Sequence, residues 1–247
     1  LGPEIEAIEA AGRDVYGDPR AIPVATGSMN PYNDANIRFL DELMKATFDP
    51  DRVPTLGGDP VWKHVDYLTV HYMLAPPGHA NTARLNRYVG QYLRSGKVKG
   101  IWITEEHGGR GRGAPTVLER GMYFLRWVAD NELSADEAKV FWYGEKTRKG
   151  RASGAHLMRR LGTHFAGRQV SFAAIDRPDV HCHVLTGRPG PGEDWDRALV
   201  VLLPRDQSEL ALGTLTLELP VQADGWQAEG VDYSYLIDPP RFEVDVT

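Results

Sequence analysis

Four short apolar runs alternate with segments of helical period, and this alternation constrains the fold more than any other feature of the chain. The runs are residues 22–27 (IPVATG), 65–73 (VDYLTVHYM), 101–105 (IWITE) and 138–145 (AKVFWYGE). Between and after them, apolar residues recur three and four positions apart, the stripe of a helix with one buried face. One such set is Ile37, Leu40, Leu43 and Met44, with Asp34 placed to cap it. A second is Leu85, Tyr88, Val89, Tyr92 and Leu93; a third is Leu118, Met122, Leu125 and Ala129; a fourth is Leu157, Met158, Leu161 and Phe165. Strand and helix in strict alternation predict a parallel sheet joined by crossover helices. The expected strands lie near 21–27, 66–72, 100–105 and 139–143.

Each run ends on a residue with chemistry to offer. Thr26, His71, Glu105 and Trp142 close the four strands, 45, 34 and 37 residues apart. Active sites of (β/α)8 barrels are built at such C-terminal strand ends. Four units are half of the eight strands a barrel of that kind needs. The run at 101–108 is the most pointed, because an apolar strand stops on two carboxylates, Glu105 and Glu106, and breaks into glycine. Strand alternation puts Ile101, Ile103 and Glu105 on one face. A carboxylate there is costly to desolvate unless it is used or paired. The plain alternative is an acidic residue that caps the next element.

These strand ends resemble a known family. WITE followed shortly by glycine is similar to the seventh strand of clan A retaining glycoside hydrolases, whose strand-end glutamate is the catalytic nucleophile. DYLTVHYM resembles the sixth strand, whose His and Tyr line the sugar pocket, and FWYGE resembles the eighth, whose Trp floors the subsite beside the cleaved bond. The resemblance covers roughly residues 1–165. It implies the C-terminal half of a (β/α)8 barrel over 1–166 and an enzyme that cleaves O-glycosidic bonds of oligo- or polysaccharides by double displacement. Glu105 would be the nucleophile, with Glu106 as the alternative. The Thr-Glu adjacency and the face shared with Ile103 favour Glu105, and the spacing to Gly108 suits Glu106. His71, Tyr72 and Trp142 would contact the sugar, as would His107 and Glu145 at the rim if they are not simply solvated. Hydrogen bonds from Tyr72 or His71 would stabilise the charged carboxylate.

One departure from the family pattern stands out. The clan's acid/base glutamate ends strand four, commonly as Asn-Glu, and the Asn131-Glu132 pair here lies in a polar stretch before SADEA. On this alignment strand four precedes Leu1, residues 1–8 are the helix that follows it, and the chain is an incomplete piece whose proton donor lies upstream. Such a piece is expected to be inactive alone and, with two open sheet edges, poorly soluble. The competing reading is a non-catalytic carbohydrate-binding or structural protein derived from a barrel. A barrel lyase or aldolase would want a strand-end Lys or a set of metal ligands, which these four ends do not supply.

From about residue 167 the pattern turns to short β runs at 169–174, 180–185, 198–203, 212–219, 233–237 and 241–246, separated by Gly-, Pro- and Asp-rich loops. A small antiparallel β-sandwich over 167–247 is the expectation. A net charge of −6 leaves no electrostatic footprint for nucleic acid. No apolar run reaches the ~18 residues of a membrane span. His181 and His183 share a strand face without a third ligand, so no metal is expected. GGRGRG at 108–113 lacks the Lys-Ser/Thr of a phosphate loop, and no cofactor follows from it. The single cysteine, Cys182, leaves the compartment open.

Overall fold

The structure, a computed structural model, describes residues 1–30, 34–107, 117–142, 163–165, 167–176, 180–204, 230–231 and 241–242. The chain divides into two compact units, residues 1–106 with 133–143 and residues 107–132 with 144–247.

The first unit holds helices α1 (Gly2–Tyr16), α2 (Asp34–Lys45) and α3 (Ala80–Tyr88) and strands β1 (Tyr67–His71), β2 (Gly100–Glu106) and β3 (Ala138–Trp142). Helix α1 starts with a proline in its first turn and stops at Gly17, whose φ of 74° lets its N–H reach back to the Arg13 carbonyl. Helix α2 buries Ile37, Leu40 and Met44, the face foreseen from their spacing, with Asp34 in its first turn and Lys45 in its last, as the helix dipole favours. The long helix expected over 81–94 is instead α3, capped by the His79 side chain on the Asn81 N–H, followed by a π turn over Val89–Leu93. Gly90, a poor helix former, sits inside that turn. The turn still buries Val89, Tyr92 and Leu93.

The three strands are parallel and run in the order β1-β2-β3. The strand expected at 21–27 is a bridged segment over 24–29 beside β1. Its pairs are Ala25 with Tyr67 and Met29 with Val70, both parallel, so four steps on one side match three on the other and no continuous ladder forms. Backbone bonds from Asp66 N–H to the Val24 carbonyl (2.7 Å) and from His71 N–H to the Met29 carbonyl (3.0 Å) hold it in place.

The two faces of this sheet differ. Leu68, Val70, Ile101 and Ile103 are fully buried on one. On the other, Tyr67 stacks on Trp102 at 4.0 Å, and Lys139 lies 5.2 Å over the Trp102 ring. Phe141 joins them at 5.9 Å and is 46% exposed. At the N-terminal end of β1 the buried Asp66 carboxylate takes Arg20 Nη2 at 3.0 Å, Lys99 Nζ at 2.9 Å and the Val24 N–H at 2.8 Å.

The second unit holds α4 (Val117–Asp130) and the antiparallel strands β4 (Gln169–Asp176), β5 (Val180–Arg188) and β6 (Arg197–Pro204), paired in that order. β7 (Gly230–Val231) and β8 (Arg241–Phe242) form a short antiparallel pair. Met122 of α4 forms a core with Leu185 and Val201, joined by Leu125, Phe165, Phe172 and Leu199. The apolar stripe on α4, expected on a crossover helix of the parallel sheet, faces the antiparallel one instead. Most of the helix expected from Leu157, and the strands expected at 212–219 and 233–237, lie outside the described residues. The protein is thus mixed α/β, with one parallel sheet and separate antiparallel ones, and no closed barrel forms among the described residues.

Candidate active site

A bulge at the end of β2 decides which glutamate goes where. Val70 pairs with Ile103 but His71 pairs with Glu105, so Thr104 is one residue more than β1 supplies. An extra residue resets the alternation of side chains. Glu105 therefore does not share the buried face of Ile103, as simple alternation had implied; it comes opposite His71. Glu106, the next residue, is fully buried and pairs in register with Trp142.

The Tyr72 hydroxyl donates to Glu105 Oε2, and His71 Nδ1 lies 3.2 Å from the same oxygen. The Tyr72 N–H donates to the Glu105 carbonyl at 2.8 Å. The His71 and Glu105 side chains keep 22% and 33% of their surface, enough for a ligand to reach them. Tyr72 has φ 50°, a left-handed backbone rare for an aromatic residue. The structure thus brings His71, Tyr72 and Glu105 onto one carboxylate. The Tyr72 hydroxyl and the His71 ring both lie on Oε2, which leaves Oε1 of Glu105 as the more open oxygen.

Glu106 Oε2 accepts the Leu74 N–H at 3.0 Å. Its burial removes it from contact with any ligand that reaches Glu105. Trp142 is the cross-strand partner of Glu106, and no hydrogen bond joins it to Glu105 among the described residues. His107 follows β2 and is partly exposed within the second unit. Glu145 lies outside the described residues.

Two hydroxyls that sequence reasoning passed over flank the site. Ser28 Oγ and Thr104 Oγ1 hydrogen-bond to each other across β1, although their backbones flank that strand on opposite sides. In a flat sheet, strands two apart are separated by about 9.5 Å, beyond the reach of two short side chains. The sheet therefore curls towards this face at its C-terminal end, and Glu105 sits on the concave side. Below, Thr69 N–H donates to Thr26 Oγ1 at 2.9 Å, and both residues are buried. A small polar residue at the end of each run was the available signal, since Thr26 and Thr104 interrupt otherwise apolar strands.

Among the described residues no group of three or more His, Cys, Asp or Glu is placed to hold a metal ion. No described helix is long and apolar enough to cross a membrane. Comparison with protein-family models, with curated proteins and with solved structures gives no match for this chain.

Proposed function

We propose that this chain carries the nucleophile side of a retaining glycoside hydrolase site, with Glu105 as the nucleophile and a carbohydrate as the substrate. One observation carries the reading: at the C-terminal ends of adjacent parallel strands, a phenol and an imidazole from β1 converge on one half-exposed carboxylate from β2. The hydrogen bond from the Tyr72 hydroxyl fixes the orientation of the carboxylate that attacks. The strand order adds support, because the segment at 24–29, β1, β2 and β3 lie side by side in chain order. Neighbours in chain order are the singly wound arrangement of a barrel, whereas doubly wound sheets reverse direction at a switch point. Curvature towards the Glu105 face agrees with half of such a barrel, the architecture we propose for this unit.

In this reading Glu105 attacks the anomeric carbon and the glycosidic oxygen leaves as an alcohol. The resulting glycosyl ester is then opened by water, with the sugar's configuration retained. His71 and Tyr72 orient the carboxylate and border the sugar. The proton donor of such a pair stands about 5–5.5 Å from the nucleophile. It is assigned to no residue here. The partly open aromatic face formed by Tyr67, Trp102 and Phe141 favours the second reading, a carbohydrate-binding protein without catalysis.

Mechanism-based labelling separates the two. Fluoride leaves with little acid assistance, so a 2-deoxy-2-fluoro-β-glycosyl fluoride can trap the nucleophile even where the proton donor is weak. The polypeptide as its gene encodes it is incubated with gluco, galacto and manno forms, then digested with trypsin. Cleavage after Lys99 and Arg110 yields one peptide holding both Glu105 and Glu106, and fragmentation tells them apart. The expected result is one fluorosugar on Glu105. A label on another residue, or binding of sugar with no label from any of the three, overturns the proposal.

A further inference from the structure

Tyr72 reaches Glu105 from an unfavourable backbone. Its φ of 50° is a left-handed conformation that an aromatic residue keeps only where the surroundings fix it. Both sides of the kink are tied to β2. Ahead of it the Tyr72 N–H is held by the Glu105 carbonyl; beyond it the Leu74 N–H is held by Glu106 Oε2 at 3.0 Å. Met73 and Leu74, between and beyond, are 0% and 2% exposed, so the turn is packed as well as bonded.

Glu106 itself is 0% exposed. A buried carboxylate is costly and calls for a reason. The bulge supplies it: by adding Thr104, it sends Glu105 to the His71 side and leaves Glu106 facing inward, at the height of the turn that follows β1.

We infer that Glu106 is a positioning residue, whose buried carboxylate clamps the 72–74 turn and so keeps the Tyr72 hydroxyl on Glu105. The inference rests on Glu105 being the nucleophile. Glu106 touches neither substrate nor reacting atoms; it acts through Tyr72. Two neighbouring glutamates then divide the work, one reacting and the other fixing the geometry of the group that serves it.

The test is a double-mutant cycle on the polypeptide as its gene encodes it, with aryl β-glycosides as substrates. Loss of a hydrogen bond to a charged group is worth about 10–100-fold in activity. Glu106→Leu and Tyr72→Phe should each lower kcat by that order while KM changes less than about twofold, and the double variant should be no worse than either, because both remove the same contact. Glu106→Gln, which keeps an acceptor oxygen, should stay within about threefold of the parent. If Glu106→Leu does not fold, Glu106→Asp takes its place, since one methylene fewer draws the carboxylate away from the Leu74 N–H. Multiplicative losses in the cycle, or a lowered Tm with kcat intact, would overturn the role. So would a crystal structure of the Glu106 variant in which Tyr72 keeps its positive φ and its bond to Glu105. Glu105→Gly is run beside them. If it keeps activity, the nucleophile reading is at fault; if it is dead and the losses multiply, only the positioning role fails.

Discussion

Glu105 and Glu106 are identical side chains, one peptide bond apart, and a single extra residue ahead of them separates their fates. One keeps a third of its surface and gathers the Tyr72 hydroxyl and the His71 ring; the other is sealed. Asp66 is a third carboxylate with yet another use. It closes the N-terminal end of β1, where Arg20, Lys99 and the Val24 N–H converge on its buried oxygens. Removing it would take this acceptor from Lys99 and the Val24 N–H and leave Arg20 with Glu9 alone. Arg20 and Lys99 keep 32% and 64% of their side-chain surface, so water would recover part of the loss. Asp66→Ala is expected to cost about 2–3 kcal/mol, below the ~3–5 kcal/mol of a fully buried pair because its partners stay partly solvated, read as a shift in the urea midpoint at constant m. A change under about 0.5 kcal/mol, the scale of an ordinary surface substitution, would show that the cluster adds nothing.

The turn after α3 makes a prediction at the scale of an element. Burial, helped by the Asp41 charge, pushes the Tyr92 phenol up, and burial does the same to Tyr88. An acid whose folded value is raised holds its proton in the native state after the unfolded chain has lost it. Stability from these groups is therefore complete below about pH 10, the ordinary tyrosine value, and falls as pH rises above it. The Tyr92 hydroxyl donates to Asp41 Oδ1 at 3.2 Å, so Tyr92→Phe should lower stability at pH 7 by about 1 kcal/mol. The same change should flatten the alkaline fall, measured by urea unfolding from pH 8 to 11. An alkaline fall as steep in Tyr92→Phe as in the parent would contradict this. The elements themselves were largely legible, because burial leaves a periodic mark: the stripes Ile37–Leu40–Met44 and Leu85–Tyr88 and the runs around Val70 and Ile103 all become buried faces. Two things left no such mark. A stripe tells which face of a helix is apolar and not what it will meet, so the pattern of α4 does not distinguish the parallel sheet from the antiparallel one it packs on. A bulge adds a residue without altering composition, so Glu105 was expected beside Ile103. Its convergence with Tyr72 and His71 depends on that unreadable step.

At the scale of the whole molecule, the parallel unit presents one buried and one partly open face. Tyr67, Trp102 and Phe141 line the open one, beneath the strand ends that carry His71 and Glu105. Every step of the proposal passes through Glu105, whose carboxylate is the nucleophile a retaining mechanism needs. Replacing it by Gly removes the nucleophile and leaves a space that a small anion can fill. The decisive measurement is hydrolysis of aryl β-glycosides by Glu105→Gly in the polypeptide as its gene encodes it, with and without sodium azide. The proposal predicts no hydrolysis without azide, and with it a glycosyl azide of inverted configuration. Undiminished hydrolysis by Glu105→Gly in the absence of azide would contradict it.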